Sequence, residues 1–232
     1  MPSIPAAYVA NRLLSALPRK DLQRFLEGCE PVQLVLAEVL ADPGERIQNV
    51  YFPMEGYISL QSPIIRGHRL GLGLIGIEGM LGTSLALGEN VSPLHASVVG
   101  EGLALRMDAT LFSLELESSP TLQQELKRYL YGALSQFALT AACHHFHMVE
   151  ARLSRWLLMM SDRARSNEIY ITHEFLANIL GVRREGITSA AMALADRRVI
   201  RYSRGNITIL THKGLEAASC SCYAADKASY LF

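Results

Sequence analysis

Residues 180–210 read LGVRREGITSAAMALADRRVIRYSRGNITIL. The stretch gathers Arg183, Arg184, Arg197, Arg198, Arg201 and Arg204 against only Glu185 and Asp196, in a chain whose 22 basic and 22 acidic residues cancel. Just upstream, Thr172 is placed to cap a helix that ends at Gly181. Leu176, Leu180, Val182, Ile187 and Ala190 are apolar, Ala177 is small, and Gly181 falls between two helical segments. Two short helices that cross steeply need a small residue where their backbones approach, and a residue tolerant of positive φ at the turn. Ala177 and Gly181 supply both, so the spacing predicts a helix-turn-helix. Downstream, Val199, Ile200, Tyr202, Ile207 and Ile209 flank a Ser203–Asn206 turn, the pattern of a β-hairpin. Together these make a winged helix. An αα-hairpin with no nucleic-acid role is the plain alternative, and the hairpin that follows weighs against it.

The second helix sorts into two faces. Val182, Ile187, Ala190, Ala191 and Leu194 point inward, leaving Arg184, Glu185, Thr188, Ser189 and Met192 outside. Arg184, Glu185, Thr188 and Ser189 are therefore candidate base readers: a guanidinium forks onto guanine, and a carboxylate accepts from cytosine N4. Phosphates repel a carboxylate, so Glu185 is explained by base readout or by orienting Arg184, with a helix-surface ion pair as the alternative. Arg183, Arg201 and Arg204, with Thr172 and His173 at a helix start, suit phosphate contacts, although Arg183 too has a surface ion pair open to it.

The rest of the chain supplies the context. Half of its 232 residues are apolar, enough for a substantial core. No leader-like segment and no long apolar run is evident, so a soluble, cytoplasmic protein with no membrane role is expected. Four scattered cysteines do not make a disulfide framework, and reduced thiols are the default. From Val32 to about Arg106, short apolar runs alternate with Gly and Pro, as in ADPGERIQNVYFP, and predict a many-stranded β domain. Ahead of it, Leu13, Leu14, Leu17, Leu22, Phe25 and Leu26 lie on two short helical faces interrupted by Pro18. VEARLSRWLLMMSDRA predicts an amphipathic helix, and SNEIYIT a short strand.

Between Pro120 and Met148 a long helix carries two apolar stripes. Leu130, Leu134, Phe137, Ala141 and His144 form a coiled-coil-like seam, and Leu126, Tyr129, Ala133, Gln136, Thr140 and Cys143 run beside it. One face suits the β domain and the other a twin helix from a second chain; a monomer with the helix sandwiched internally would show the same pattern.

At this point nearly the whole chain resembles the Crp/Fnr family of bacterial transcription regulators. The likeness is carried by NRLLSALPRKDLQRFL, the PGE turn, the long helix and LGVRREGIT, and it is nearest an atypical branch with IGIEGMLG and RWLLMMSDR. The resemblance implies an α+β chain with a cyclic-nucleotide-binding-like β-roll over residues 1–119, a dimerisation helix over 120–148 and a winged helix-turn-helix over 149–232. It further implies a homodimer whose recognition helices read a palindrome in double-stranded DNA, with RNA polymerase as a further partner. Arg184 and Glu185 match the family's base-reading pair, whereas Ser189 stands where many members have another Arg.

The cyclic-nucleotide cassette is where the resemblance fails. The family's nucleotide binders use a Gly-Glu pair for the ribose and an Arg-Ser or Arg-Thr pair for the phosphate. Here Met80 replaces the Glu, and Leu94 and His95 replace the Arg and Ser. Glu78 is one register away and His95 is a partial substitute if protonated, so Glu78, Met80, Leu81, Leu94 and His95 mark the candidate effector pocket. Burying a phosphate without partners is costly, and cyclic-nucleotide binding is not expected; the effector is unknown. No metal or other cofactor is expected: CHHFH is a tempting set, but His144 and His147 read as packed or capping residues, and Cys220 and Cys222 could ligate or cross-link. The N-terminal cysteine cluster of the iron-sulfur members is missing, since only Cys29 lies in that half. No triad, phosphate loop or metal-hydrolase spacing marks an enzyme. A metal- or redox-sensing module of the same fold, or a ligand module without DNA function, is the alternative to a DNA-binding regulator.

Overall fold

Gly- and Pro-punctuated apolar runs become strands in the first half of the chain, and the Pro-free stretch after Pro120 becomes mostly helix. The computed structural model describes residues 9–64 and 68–229. In chain order the elements are α1 (Arg12–Ser15), α2 (Arg19–Glu27), β1 (Glu30–Leu34), β2 (Val39–Ala41), β3 (Asn49–Pro53), β4 (Tyr57–Gln61), β5 (Gly71–Ile75), a 3₁₀ turn at Thr83–Leu87, β6 (His95–Gly100), β7 (Gly102–Asp108), α3 (Ala109–Ser118) and α4 (Pro120–Phe146). They continue with α5 (Val149–Ala164), β8 (Glu168–Tyr170), α6 (His173–Leu180), α7 (Arg184–Asp196), β9 (Ile200–Ser203), β10 (Asn206–Ile209), α8 (His212–Ala218) and α9 (Cys222–Ser229). The sheets run β1-β7-β3, β2-β6-β4-β5 and β8-β10-β9. This is the expected α+β chain. Among the described residues no helix is long and apolar enough to cross a membrane.

Close packing divides the chain into two units. Of the described residues, the first holds 9–58 and 75–133, and the second joins the segment between 59 and 74 to residues 134–229. Residues of the long helix fall in both units. The Ser59–Leu74 excursion goes with the second unit because Gly71 lies hard against Trp156 and Ile179, with no room for a Cβ.

In the first unit, α1 and α2 present Leu13, Leu14, Leu17, Leu22, Phe25 and Leu26 to Val50, Phe52, Leu105 and Met107 of the strands, all of them buried together. Phe25 sets its ring edge-on to Phe52 at 5.4 Å and to Phe112 of α3 at 6.5 Å. Fully burying each such side chain contributes about 1.5–3 kcal/mol. α3 starts where the Asp108 carboxylate accepts from the N–H groups of Thr110 and Leu111, which also holds that carboxyl below its usual range.

In the second unit α5 is central. Its sequence suggested one apolar face, but Leu153 and Trp156–Met160 are buried all round, together with Arg152, Arg155 and Arg163. The arginines are tolerated because each is used. Arg152 donates to the carbonyls of His144 and Leu180, Arg155 to Asp226 and Thr140, and Arg163 to Met159. Arg152 thereby serves the C-terminal carbonyls of α4 and α6 at once, where helix ends leave acceptors unpaired.

Candidate nucleic-acid interface

The helix-turn-helix forms where the spacing placed it. Thr172 Oγ1 accepts from the Phe175 N–H at 3.1 Å and caps α6. Gly181 ends that helix at φ +60°, ψ +41°, its own N–H and that of Val182 returning to the last turn, so a left-handed residue closes α6 and redirects the chain. A Cβ on Gly181 would also strike Leu70. Ala177 is buried, as are Ile187, Ala190, Ala191 and Leu194 on the inner face of α7. After α7, β9 and β10 pair in register Asn206↔Ser203 through Ile209↔Ile200. Arg204 (φ +47°) and Gly205 (φ +83°) make the tight turn between them, the positive-φ pair that suits a two-residue hairpin. β8 adds a third strand on β10.

The arginines of the opening stretch separate by environment. Arg197 is held by Glu150 at 2.5 Å and by the Ala193 carbonyl, so it belongs to the scaffold. Arg183, Arg184, Arg201 and Arg204 are exposed, and none joins an ion pair among the described residues. Glu185, Ser189 and Met192 share the exposed face of α7, and Glu185 is likewise unpaired there, against the ion-pair alternative.

Two expected contact residues have other work. His173 is buried, its ring stacked on Tyr202 at 4.1 Å, and its Nδ1 lies 3.1 Å from Thr188 Oγ1. Thr188 donates to the Arg184 carbonyl, which leaves its oxygen to accept from a neutral Nδ1–H. Burial first, and the Arg184 charge second, hold the imidazole below its ordinary pKa. His173 is therefore a neutral link between α6, α7 and the hairpin rather than a displayed cation, and the half-buried Thr188 hydroxyl is spent inside the protein. The sequence showed that both lie near the helix starts, but not that the Tyr202 ring would cover His173.

Residues 151–218 match the Crp-like helix-turn-helix domain. Solved structures extend the likeness. A chain described as a transcriptional regulator of the Crp/Fnr family from Eubacterium rectale superposes with a TM-score of 0.70 at 18% identity, covering 90% of this chain and 98% of that one. The c-di-GMP responsive global regulator CLP of Xanthomonas campestris gives 0.68 at 16%, covering 84% and 100%, and a Crp/Fnr-family transcriptional regulator of Thermus thermophilus gives 0.67 at 22%, covering 82% and 98%. This chain carries a Crp-like helix-turn-helix domain on the Crp/Fnr regulator fold. No curated protein matches it in sequence.

Within the Crp/Fnr fold two of the candidate effector residues are buried, and Glu78, Leu94 and His95 are half-buried. Met80 is fully buried in the first core and Leu81 nearly so; the Met80 carbonyl accepts from Tyr129 of α4, whose ring lies on Gly79. Glu78 accepts from the Gly76 N–H, and Ser92 donates to the carbonyl of half-buried Leu94. The His95 Nδ1 lies 2.6 Å from the Asp42 carboxylate, which takes up the one candidate substitute for the missing Arg.

On α4 the two stripes behave differently. Leu126, Gln136, Thr140 and Cys143 are buried within the chain. Leu130 and Phe137 are half-buried, Ala141 is exposed, and Leu134 is 66% exposed. His144 leaves the seam: its ring turns to the Gly71 carbonyl at 3.4 Å, and burial lowers its pKa.

The structure also assembles what the sequence scattered. The ligand atoms of Cys143, His147, Cys220 and Cys222 all lie within 4.8 Å of one another, while His144 points elsewhere. Helical i,i+4 spacing made Cys143 and His147 legible as neighbours; nothing in the sequence said that Cys220 and Cys222 fold back onto them. Cys29 stands apart in the first unit, donating to the Phe25 carbonyl, its thiol pushed up to about 12 mainly by burial.

Proposed function

We propose that this chain is a sequence-specific DNA-binding transcription regulator that acts as a homodimer on a palindromic operator. The observation that carries the proposal is the exposed face of α7, where Arg184, Glu185 and Ser189 stand free of partners beside a hairpin displaying Arg201 and Arg204. In this reading α7 enters the major groove, Arg184 forks onto guanine and Glu185 selects the neighbouring base pair or orients Arg184. Arg183, Arg201, Arg204 and the N-terminus of α6 at Thr172 hold phosphates and set the register. His173 and Thr188 position α7 without touching DNA.

The Leu130, Leu134, Phe137 and Ala141 face supports dimerisation, because an apolar helical seam left open in one chain is what a twin helix would cover. The first unit is the sensor, and its ligand is not a cyclic nucleotide, since His95 is committed to Asp42 and Met80 to the core. Selection of bound sequences from random duplex by the purified protein, with and without a cell extract to supply effectors, tests the proposal. A palindromic motif with two equal half-sites is expected; failure to enrich any motif under either condition would overturn it.

A further inference from the structure

Cys143 lies near the C-terminal end of α4, and the His147 N–H still donates to its carbonyl, so the two side chains share one helical face. Cys220 and Cys222 bracket the turn that opens α9, and both are buried with Cys143 and half-buried Ala151. The Cys143 and Cys220 sulfurs are 3.5 Å apart, and Cys222 Sγ is 3.6 Å from His147 Nδ1. A tetrahedral ion with Zn–S and Zn–N bonds of ordinary length has edges of about 3.8 Å between sulfurs and about 3.6 Å between sulfur and nitrogen. The pairs therefore already stand at coordination-edge spacing. Four donors, no carboxylate, and three buried cysteines beside a half-buried histidine are the features of a structural site, in which no coordination position is left for water.

We propose that Cys143, His147, Cys220 and Cys222 form a tetrahedral site for a thiophilic divalent ion, zinc, that ties α9 to the corner between α4 and α5. A second, independent observation is charge. Three thiolates around a divalent ion leave one negative charge in a buried place, which needs a cation nearby. Arg155 supplies it. Its Nε is fixed by Asp226 and its Nη2 by Thr140, it acts electrostatically on Cys143, and its buried Nη1 has no hydrogen-bond partner among the described residues. A Cys143 thiolate is the acceptor that Nη1 lacks. The site is independent of the DNA-binding reading, since none of its residues lies on the exposed face of α7.

Metal analysis of the full-length chain, purified under reducing conditions from zinc-containing medium without a metal-affinity step, tests this. About one zinc per chain is expected, released by a thiol-reactive mercurial. Cobalt added to the stripped protein should give the ligand-field bands of tetrahedral thiolate coordination. Cys143→Ser, Cys222→Ser and His147→Ala should each lose or weaken the ion, whereas Cys29→Ser should retain it. Because a variant that fails to fold would also lose metal, the cobalt spectrum of the unaltered protein carries the decision. A reduced protein that holds neither zinc nor cobalt, an octahedral cobalt spectrum, a Cys143–Cys220 disulfide found under native conditions, or full zinc retention in Cys220→Ser/Cys222→Ser would each overturn the proposal.

Discussion

Base readers and phosphate contacts differ in what their loss does, and Arg184 and Arg204 fall on opposite sides of that line. Arg204 sits at the hairpin turn at φ +47°, so Arg204→Asn is the cleaner substitution: it removes the charge and keeps a residue that accepts the left-handed conformation. If Arg183, Arg201 and Arg204 each neutralise one phosphate in each half-site, the dimer makes about six such contacts and log K should fall with log salt at a slope of about −5. Arg204→Asn removes two of them and should flatten the slope by about 1.8. Across a fourfold rise in salt, wild type and variant should then converge by about 12-fold, on operator and random duplex alike. Arg184→Ala should leave the slope nearly unchanged. It should cost about 1–3 kcal/mol per half-site on the operator and much less on random DNA, and relax selection at one symmetric position. Fluorescence anisotropy against both duplexes over a salt series measures the slopes and affinities, and selection from random duplex reads the motif. Equal losses on operator and random DNA for Arg184→Ala with an unchanged selected motif would refute the recognition-helix assignment, and an unchanged slope for Arg204→Asn would refute the wing contact.

Phe137→Glu should break the dimer, because the twin helix would have to bury an unpaired carboxylate; sedimentation should show the dissociation constant rising by at least about 100-fold, about 3 kcal/mol. A monomeric wild type or a dimeric variant would count against the seam. Calorimetry with cyclic AMP and cyclic GMP should show no binding in the micromolar range, and binding coupled to tighter DNA association would show that the Asp42–His95 pair opens. The folded pKa of His173 lies below its ordinary value, so its contribution to stability is complete above about pH 6.5 and is lost as pH falls through the depressed value. Denaturant melts from neutral to mildly acid pH should show this loss in wild type and less of it in His173→Gln; identical pH profiles would remove His173 from the account.

The fold was legible where one local signal decides one local structure. Pro18 separates α1 from α2, Thr172 caps α6 and Gly181 closes it, because each needs only its own chemistry and a neighbour or two. The inner face of α7 follows from period alone. Burial on all sides was less legible: α5 reads as amphipathic since Arg152, Arg155 and Arg163 interrupt it, and only the tertiary structure shows that carbonyls and Asp226 engage part of each guanidinium. α8 and α9 escaped notice for a related reason. They are short, and α9 is secured by the Arg155–Asp226 pair at 2.5 Å, a contact between residues 71 positions apart.

The same distinction sorts the candidate site residues. Arg184, Glu185, Ser189, Arg201 and Arg204 stand where periodicity and turn chemistry put them, because an exposed side chain answers only to its backbone. His173 and His144 do not, because an imidazole near a helix end finds any acceptor and any ring within reach, Thr188 and Tyr202 in one case and the Gly71 carbonyl in the other. Histidine has an apolar body and two nitrogens of opposite character, so its role follows from its partners more than from its position. His147 is the sharpest instance. One position beyond the last residue of α4 it looks like a cap, yet with Cys143 a turn behind it and Cys220 and Cys222 brought in from the far end of the chain, its Nδ1 faces sulfur.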